Sequence, residues 1–215
     1  MGSQQIKEVS KSFGRSTTAI DGWHPRHFGQ LSEKCLTALA QLFQSFEEGP
    51  FWPKQQQSLM VSLLDKPSND QEGWTKDKRP ILLFRSLFRL WAKARQRLIR
   101  DWQKTHCGDS CLANLAGRQP GDAIWRSVMR ATVAAEGTNC HGFEALWDIS
   151  KAFDRVDHGK LIQQACLLKY PLRVLALSTA SYKWARCLVD GQGISSQWIL
   201  PCIGLGKGQP LLSMS

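Results

Sequence analysis

Asp148 closes the apolar run Ala145-Leu146-Trp147, and Asp154 follows at the end of Ile149-Ser150-Lys151-Ala152-Phe153-Asp154. A carboxylate at the end of an apolar segment is well placed to hold a hard divalent cation. Mg2+ keeps several of its waters and takes one or two carboxylates together with substrate phosphates. One aspartate does not complete such a site. The other chemistry-bearing residues are cations. Lys76 through Lys104 hold ten basic residues (Lys76, Lys78, Arg79, Arg85, Arg89, Lys93, Arg95, Arg97, Arg100 and Lys104) against Asp77 and Asp101. That is a net +8 in a chain whose total is +10. Such clustering points to an anionic polymer, because contacts between cations and phosphates dominate affinity for nucleic acid. A row of cations carries no sequence or activity information by itself.

The elements that position these groups follow from periodicity. Phe143, Ala145, Trp147 and Ile149 alternate with Glu144, Leu146 and Asp148, which predicts a short strand with the first set on its buried face and Asp148 projecting from the other. From Arg85 to Lys104 the pattern is helical. Arg85, Arg89, Lys93, Arg97 and Arg100 fall on one stripe, and Leu87, Trp91, Ala94 and Leu98 fall opposite as the expected core face. Ser58 to Leu64 and Arg79 to Leu83 read as two strands of a hairpin joined by a long basic connection.

Elsewhere, residues 1–20 read as a loose polar lead-in to the turn signals of Asp21-Gly22-Trp23-His24-Pro25. A core helix is expected from about Leu31 to Phe46, stopped by Gly49-Pro50, and another from about Asp122 to Ala135 after the turn Gly117-Arg118-Gln119-Pro120-Gly121. Asp157 can cap a helix through Leu161, Ile162, Ala165 and Leu168, and Pro171 opens one running to Ala185. Cys187-Leu188-Val189 and Trp198-Ile199-Leu200 suggest a hairpin around Asp190-Gly191.

With 215 residues, 42% of them hydrophobic and nine of them Trp, the chain can bury a substantial core. Seven scattered cysteines do not form a disulfide framework and suit a reducing compartment. His106, Cys107, Cys111, Cys140 and His141 could be drawn together as zinc ligands, but the second half offers only an adjacent Cys-His, which favours ordinary small buried residues. No signal peptide or membrane-length apolar run is present, so an intracellular protein, cytoplasmic or nuclear, with no membrane partner is expected.

The order of the pieces carries more than any one of them. Asp21-Gly22-Trp23 with Pro25, then Arg79-Pro80-Ile81, Gly117-Arg118 with Asp122-Ala123, Asp148-Ile149-Ser150-Lys151-Ala152-Phe153-Asp154, and Gly204 to Leu211 together resemble the reverse transcriptase domain of non-LTR retrotransposons. The likeness runs from about Thr18 to Ser215. It implies an α+β, right-hand polymerase fold, helix-rich, with a short partial antiparallel sheet. Residues 21–138 would form a fingers-like region and 139–215 the first part of a palm.

The implied activity is RNA-directed DNA synthesis on an RNA template and DNA primer from deoxynucleoside triphosphates, with Mg2+ or Mn2+. By this resemblance Asp148 is a catalytic metal ligand and Ile149 offers its backbone carbonyl to a metal. Phe153, with Ala152 beside it, packs against the incoming sugar and penalises a ribose 2′-hydroxyl. Arg79 contacts the triphosphate, a use that suits a planar, permanently charged fork, and Lys66 and Lys78 are further phosphate candidates. Gly208 shapes the backbone at the nucleotide, and Arg85, Arg89, Lys93, Arg97, Arg100 and Lys207 lie along nucleic acid.

Two departures stand out. Lys207 takes the place of the family's Gln and Leu212 that of its Ser, while Gly204, Gly208 and Pro210 remain. The family's Asp-Asp hairpin, which supplies the remaining catalytic carboxylates, does not occur before Ser215. The expectation is therefore a polymerase fragment, inactive as an isolated polypeptide. The alternatives are a non-catalytic basic RNA-binding module and a decayed element copy.

Overall fold

The computed structural model describes residues 1–17, 19–65, 78–108, 117–136, 145, 147 and 155–201. Among the described residues six α-helices and three strands make a helix-rich α+β arrangement: α1 Ser3–Lys11, α2 Glu33–Glu48, β1 Ser58–Asp65, β2 Lys78–Leu83, α3 Ser86–His106, α4 Pro120–Glu136, α5 His158–Leu167, α6 Leu172–Tyr182 and β3 Ala185–Val189. Short 3-10 turns at Pro25–Gln30 and Lys54–Gln56 join the early pieces.

The sheet has strand order β2-β1-β3. β1 and β2 form the expected antiparallel pair, with Val61 opposite Leu82 and Leu64 opposite Arg79. β3, however, joins the other side of β1 in parallel, with Ser58 opposite Ala185 and Val61 opposite Leu188. The sheet is therefore mixed, where an antiparallel one was expected. β3 follows directly on α6, and a helix is the usual crossover that returns a chain in parallel. The hairpin expected beyond Asp190 survives as two antiparallel bridges, Arg186 with Ile199 and Val189 with Ser195.

Alternation along the strands sends Leu59, Val61, Leu82 and Phe84 into the core, where all four are buried. The core is aromatic. Trp52 packs its ring 5.2 Å from Phe88, 5.3 Å from Trp91 and 5.9 Å from Trp184, while Phe84 stacks on Phe88 at 4.5 Å. The indole N–H of Trp52 is satisfied in this apolar setting by donating to the Leu177 carbonyl at 3.2 Å. Val174, Leu177 and Trp184 thus share one core with α2, α3 and the sheet.

Three local differences from the sequence reading have physical causes. The polar lead-in is helical over Ser3–Lys11, because Ile6 and Ser10 are fully buried against the body. Ser10 Oγ donates to the carbonyls of Pro25 at 2.7 Å and Arg26 at 3.1 Å, and Gly29 permits this approach, since a Cβ there would lie 2.9 Å from Ser10 Oγ. Leu98, expected in the core, is 44% exposed; Leu90 and Ile99 are buried instead, which turns the buried face of α3 toward them. Ala145 and Trp147 are exposed, Trp147 to 90%, and lie outside any strand. A period-two pattern records which face could be covered, and none of β1, β2 and β3 pairs with these two residues.

Other readings hold. Asp157 caps α5 by accepting from the Lys160 backbone N–H, and Pro171 stands at the head of α6. The expected core helix is α2, which Ser32 caps by accepting from the Cys35 backbone N–H, a cap the sequence reading did not name. Gly117 takes φ +82°, the left-handed turn conformation that glycine adopts without steric cost, just ahead of α4.

Candidate nucleic-acid interface

The cation stripe of α3 is divided by its surroundings into three parts. At the head of the helix, Arg85 sits at the junction with β2, half-buried, its Nη2 donating to Ser58 Oγ at 3.1 Å while its Nε is buried without a hydrogen-bond partner. Ser58, a residue with no functional signal in its sequence context, thereby anchors the first cation of the row.

The middle of the stripe lies beneath the N-terminal segment. Lys93 Nζ donates to the Ser12 carbonyl at 2.8 Å and stands 4.2 Å above the centre of the Phe13 ring. Gln5 Nε2 reaches the Ala94 carbonyl at 3.0 Å and fastens α1 alongside. Burial holds Lys93 below the ordinary lysine range, with repulsion from Arg89 and Arg100 adding to it. Burial likewise lowers Arg89 from the usual guanidinium value. A continuous solvent-facing row was expected. Lys93 is instead occupied in holding the N-terminus, because a lysine stem packs well on an aromatic face when its ammonium finds a carbonyl, and Arg89 is partly buried.

The far end of the row is open. Arg97 and Arg100 are exposed, and Lys104 lies beyond them, 3.7 Å from the Asp101 carboxylate in an exposed pair. Exposed pairs of this kind contribute little and leave the cation able to meet phosphate. Arg95 stands off the stripe. Its Nε donates to Glu47 Oε1 at 2.6 Å, its Nη2 to Glu47 Oε2, and Trp91 Nε1 shares Oε1 at 2.8 Å.

The two described phosphate candidates of the hairpin separate. Arg79 is exposed and, by alternation, shares the outer face of β2 with Ile81 and Leu83, while Arg85 follows two residues beyond the strand's end at the head of α3. Six residues of extended chain place it ~20 Å from Arg85. Lys78 belongs to the opposite face and is paired with Asp65 across the hairpin. Arg79 is therefore the candidate at the hairpin's outer end, and Lys78 closes the β1–β2 ladder.

Asp148, Ile149, Ala152 and Phe153, as well as Lys66, Lys207 and Gly208, lie outside the described residues. So do Cys111, Cys140 and His141 of the conceivable zinc set. Among the described residues no group of three or more His, Cys, Asp and Glu side chains converges as a metal site, and no helix is long and apolar enough to cross a membrane. What the described residues bring together is a basic surface running from the hairpin through Arg85 to Arg97, Arg100 and Lys104, interrupted by the N-terminal segment. Such a surface can bind a polyanion through its backbone. No protein-family model matches the chain, and no curated protein matches its sequence.

Proposed function

We propose that this chain is the fingers-like region and first palm segment of an RNA-directed DNA polymerase of the non-LTR retrotransposon type. It would hold an RNA template and DNA primer for deoxynucleotide addition with Mg2+ or Mn2+. The observation that carries the reading is the ordered series of motifs, in which Arg79-Pro80-Ile81 leads into the cationic helix α3 and Asp148-Ile149-Ser150-Lys151-Ala152-Phe153-Asp154 follows downstream. The exposed position of Arg79 and of the Arg97–Arg100 end of α3 is compatible with contacts to phosphate. Backbone contacts suit an A-form duplex or hybrid, whose deep, narrow major groove side chains cannot read.

In this reading the metals, when bound, polarise the attacking 3′-hydroxyl and hold the leaving pyrophosphate. Asp148 and the Ile149 carbonyl would be their ligands in this chain, and Arg79 would steady the triphosphate. Phosphoryl transfer depends almost wholly on such positioning and charge stabilisation. A rate enhancement of ~10^6 requires ~8 kcal/mol of transition-state stabilisation, more than Asp148 and Arg79 supply without the paired carboxylates of the Asp-Asp hairpin. As a separate polypeptide this segment is therefore proposed to bind a primed template without extending it.

Primer extension on an RNA template with Mg2+, run beside Asp148→Asn, tests both halves. The expected result is salt-dependent binding of the primed template and no Asp148-dependent synthesis. Robust synthesis that Asp148→Asn abolishes overturns the inactivity. Absence of any salt-dependent binding overturns the polymerase reading itself. The reading as a non-catalytic RNA-binding module draws on the exposed cations of α3, and it is favoured if single-stranded RNA binds as tightly as the primed template.

A further inference from the structure

Trp23 is 58% exposed, yet it is held in place from several sides. One oxygen of the Asp21 carboxylate accepts from the Trp23 backbone N–H at 3.4 Å, and the other accepts from the Ser86 backbone N–H at 3.0 Å. A single side chain therefore ties the tryptophan's backbone to the head of α3. The ring is braced as well. His27 meets it edge-on with ring centres 6.1 Å apart, and Phe28 lies beside it at 6.4 Å, tilted by 32°. A ring steadied in this way loses little further freedom when a flat partner stacks on it.

The setting of this ring is cationic. His24 Nδ1 accepts from the Arg26 backbone N–H at 3.0 Å, which leaves Nε2 as the donor to the Gly14 carbonyl, also at 3.0 Å. That bond brings the chain at Arg15, an exposed cation, beside the turn that carries Trp23. On the other side, the Asp21–Ser86 link sets the same turn against the head of α3, where Arg85 precedes Ser86. The nearby carboxylate of Asp21 is engaged by Ser86 through both its backbone N–H and its hydroxyl. A polyanion following the basic surface from the head of α3 to Arg97 and Arg100 crosses the N-terminal segment, and Trp23 stands at that crossing. Cations along the backbone and an aromatic face for the bases are the combination by which single strands of nucleic acid are held.

We propose that Trp23 is a stacking platform for an unpaired nucleobase of the template strand. This rests on the reading of the basic surface as the holder of a primed RNA template, and adds a base contact to what is otherwise a track for phosphates. Stacking tolerates any sequence, because every base has a π-face. Bases inside a duplex are already stacked on each other, so the platform takes the single-stranded part of the template.

Fluorescence anisotropy with a primed RNA template bearing a single-stranded overhang tests this. The companion probe has an abasic overhang, which keeps the phosphates and lacks the bases. The wild-type chain is expected to bind the natural overhang about 5- to 100-fold more tightly than the abasic one. Trp23→Ala should lower the natural overhang to the abasic level and leave the abasic affinity and the salt slope unchanged, since no cation is removed. Trp23→Phe, which keeps an aromatic face, should retain most of the difference. Equal binding of the two probes by the wild-type chain overturns the platform alone, and needs no variant to be folded. A Trp23→Ala chain that still discriminates between the probes also overturns it. Equal loss of both probes in Trp23→Ala overturns it too, because that is the behaviour of a residue that supports the fold. A wild-type chain that binds neither probe overturns the polymerase reading together with the platform.

Discussion

Asp21 Oδ2 accepts two hydrogen bonds from Ser86, one from its backbone N–H at 3.0 Å and one from its hydroxyl at 2.7 Å. Ser86 opens α3, and Arg85 before it contributes no side-chain cap. The aspartate of a turn 65 positions earlier thus satisfies the helix's first donor and sets a negative charge at its positive end. Asp21→Ala is expected to lower stability by about 1–2 kcal/mol in urea unfolding, as loss of a helix cap usually does. Asp21→Ala combined with Ser86→Ala should cost less than the two separate effects together, because the residues share one interaction.

The buried carboxylate of Glu47 gives a larger effect. It receives Arg95 through both oxygens and Trp91 through one, at the boundary of the aromatic core. Glu47→Ala leaves a mostly buried guanidinium unpaired, and a loss of about 3 kcal/mol is expected by chemical denaturation. Replacing Glu47 and Arg95 together by apolar residues of similar size should recover much of that loss.

The two ends of the cation row should respond differently in RNA binding. Arg97→Gln with Arg100→Gln is expected to weaken binding and to reduce the salt slope by about one to two, measured by fluorescence anisotropy across a salt series. Lys93→Met should leave the slope nearly unchanged and instead lower stability by about 1 kcal/mol through loss of its bond to the Ser12 carbonyl. Equal effects of Lys93 and Arg97 on the slope would show that the N-terminal segment does not shield Lys93.

The chain's two tyrosines report on burial. Burial raises Tyr170 to about 12, and it raises Tyr182 further, with Tyr170 adding to the shift. A phenol whose folded value exceeds its unfolded value near 10 stabilises the fold below pH 10, and that contribution is lost as pH rises toward 12. Absorbance titration at ~295 nm should therefore show no tyrosinate in the native chain near pH 10, the ordinary tyrosine value. Both tyrosines should ionise together on alkaline unfolding. A normal midpoint for either one in the folded protein would contradict its burial.

What the sequence made legible was what depends on neighbours along the chain. α2, the β1–β2 hairpin and the Asp157 cap of α5 are each set by spacing or by a residue a few positions away. α1 escaped notice because Ile6 and Val9 are its only apolar residues and its stability comes from contacts with Pro25–Gln30 and α3. The parallel pairing of β3 with β1 could not be read, since nothing local to Ala185–Val189 names a partner strand more than a hundred residues away. For the candidate site, the cationic character of α3 was plain from its periodicity. Its division was not, because the covering atoms, Ser12 O and the Phe13 ring, belong to a segment with no cationic or strand signal. Trp147 marks the converse limit, an apolar residue in a strand-like pattern that stands in solvent.

The position of β1 at the centre of the sheet sets a timetable for synthesis. Its β2 partner arrives within the same hairpin, but its other edge waits for Ala185–Val189, and Trp52 waits for Leu177 to accept its indole N–H. At ~5–20 residues per second of elongation, the ribosome needs roughly 6–25 s to travel from one strand to the other. Throughout that interval the nascent chain presents an open strand edge above an unfinished aromatic cluster, the arrangement most prone to pairing with a neighbouring chain. Slower elongation across the intervening segment lengthens this exposure, and a chaperone that covers β1 on the ribosome would be expected to raise the yield of folded protein.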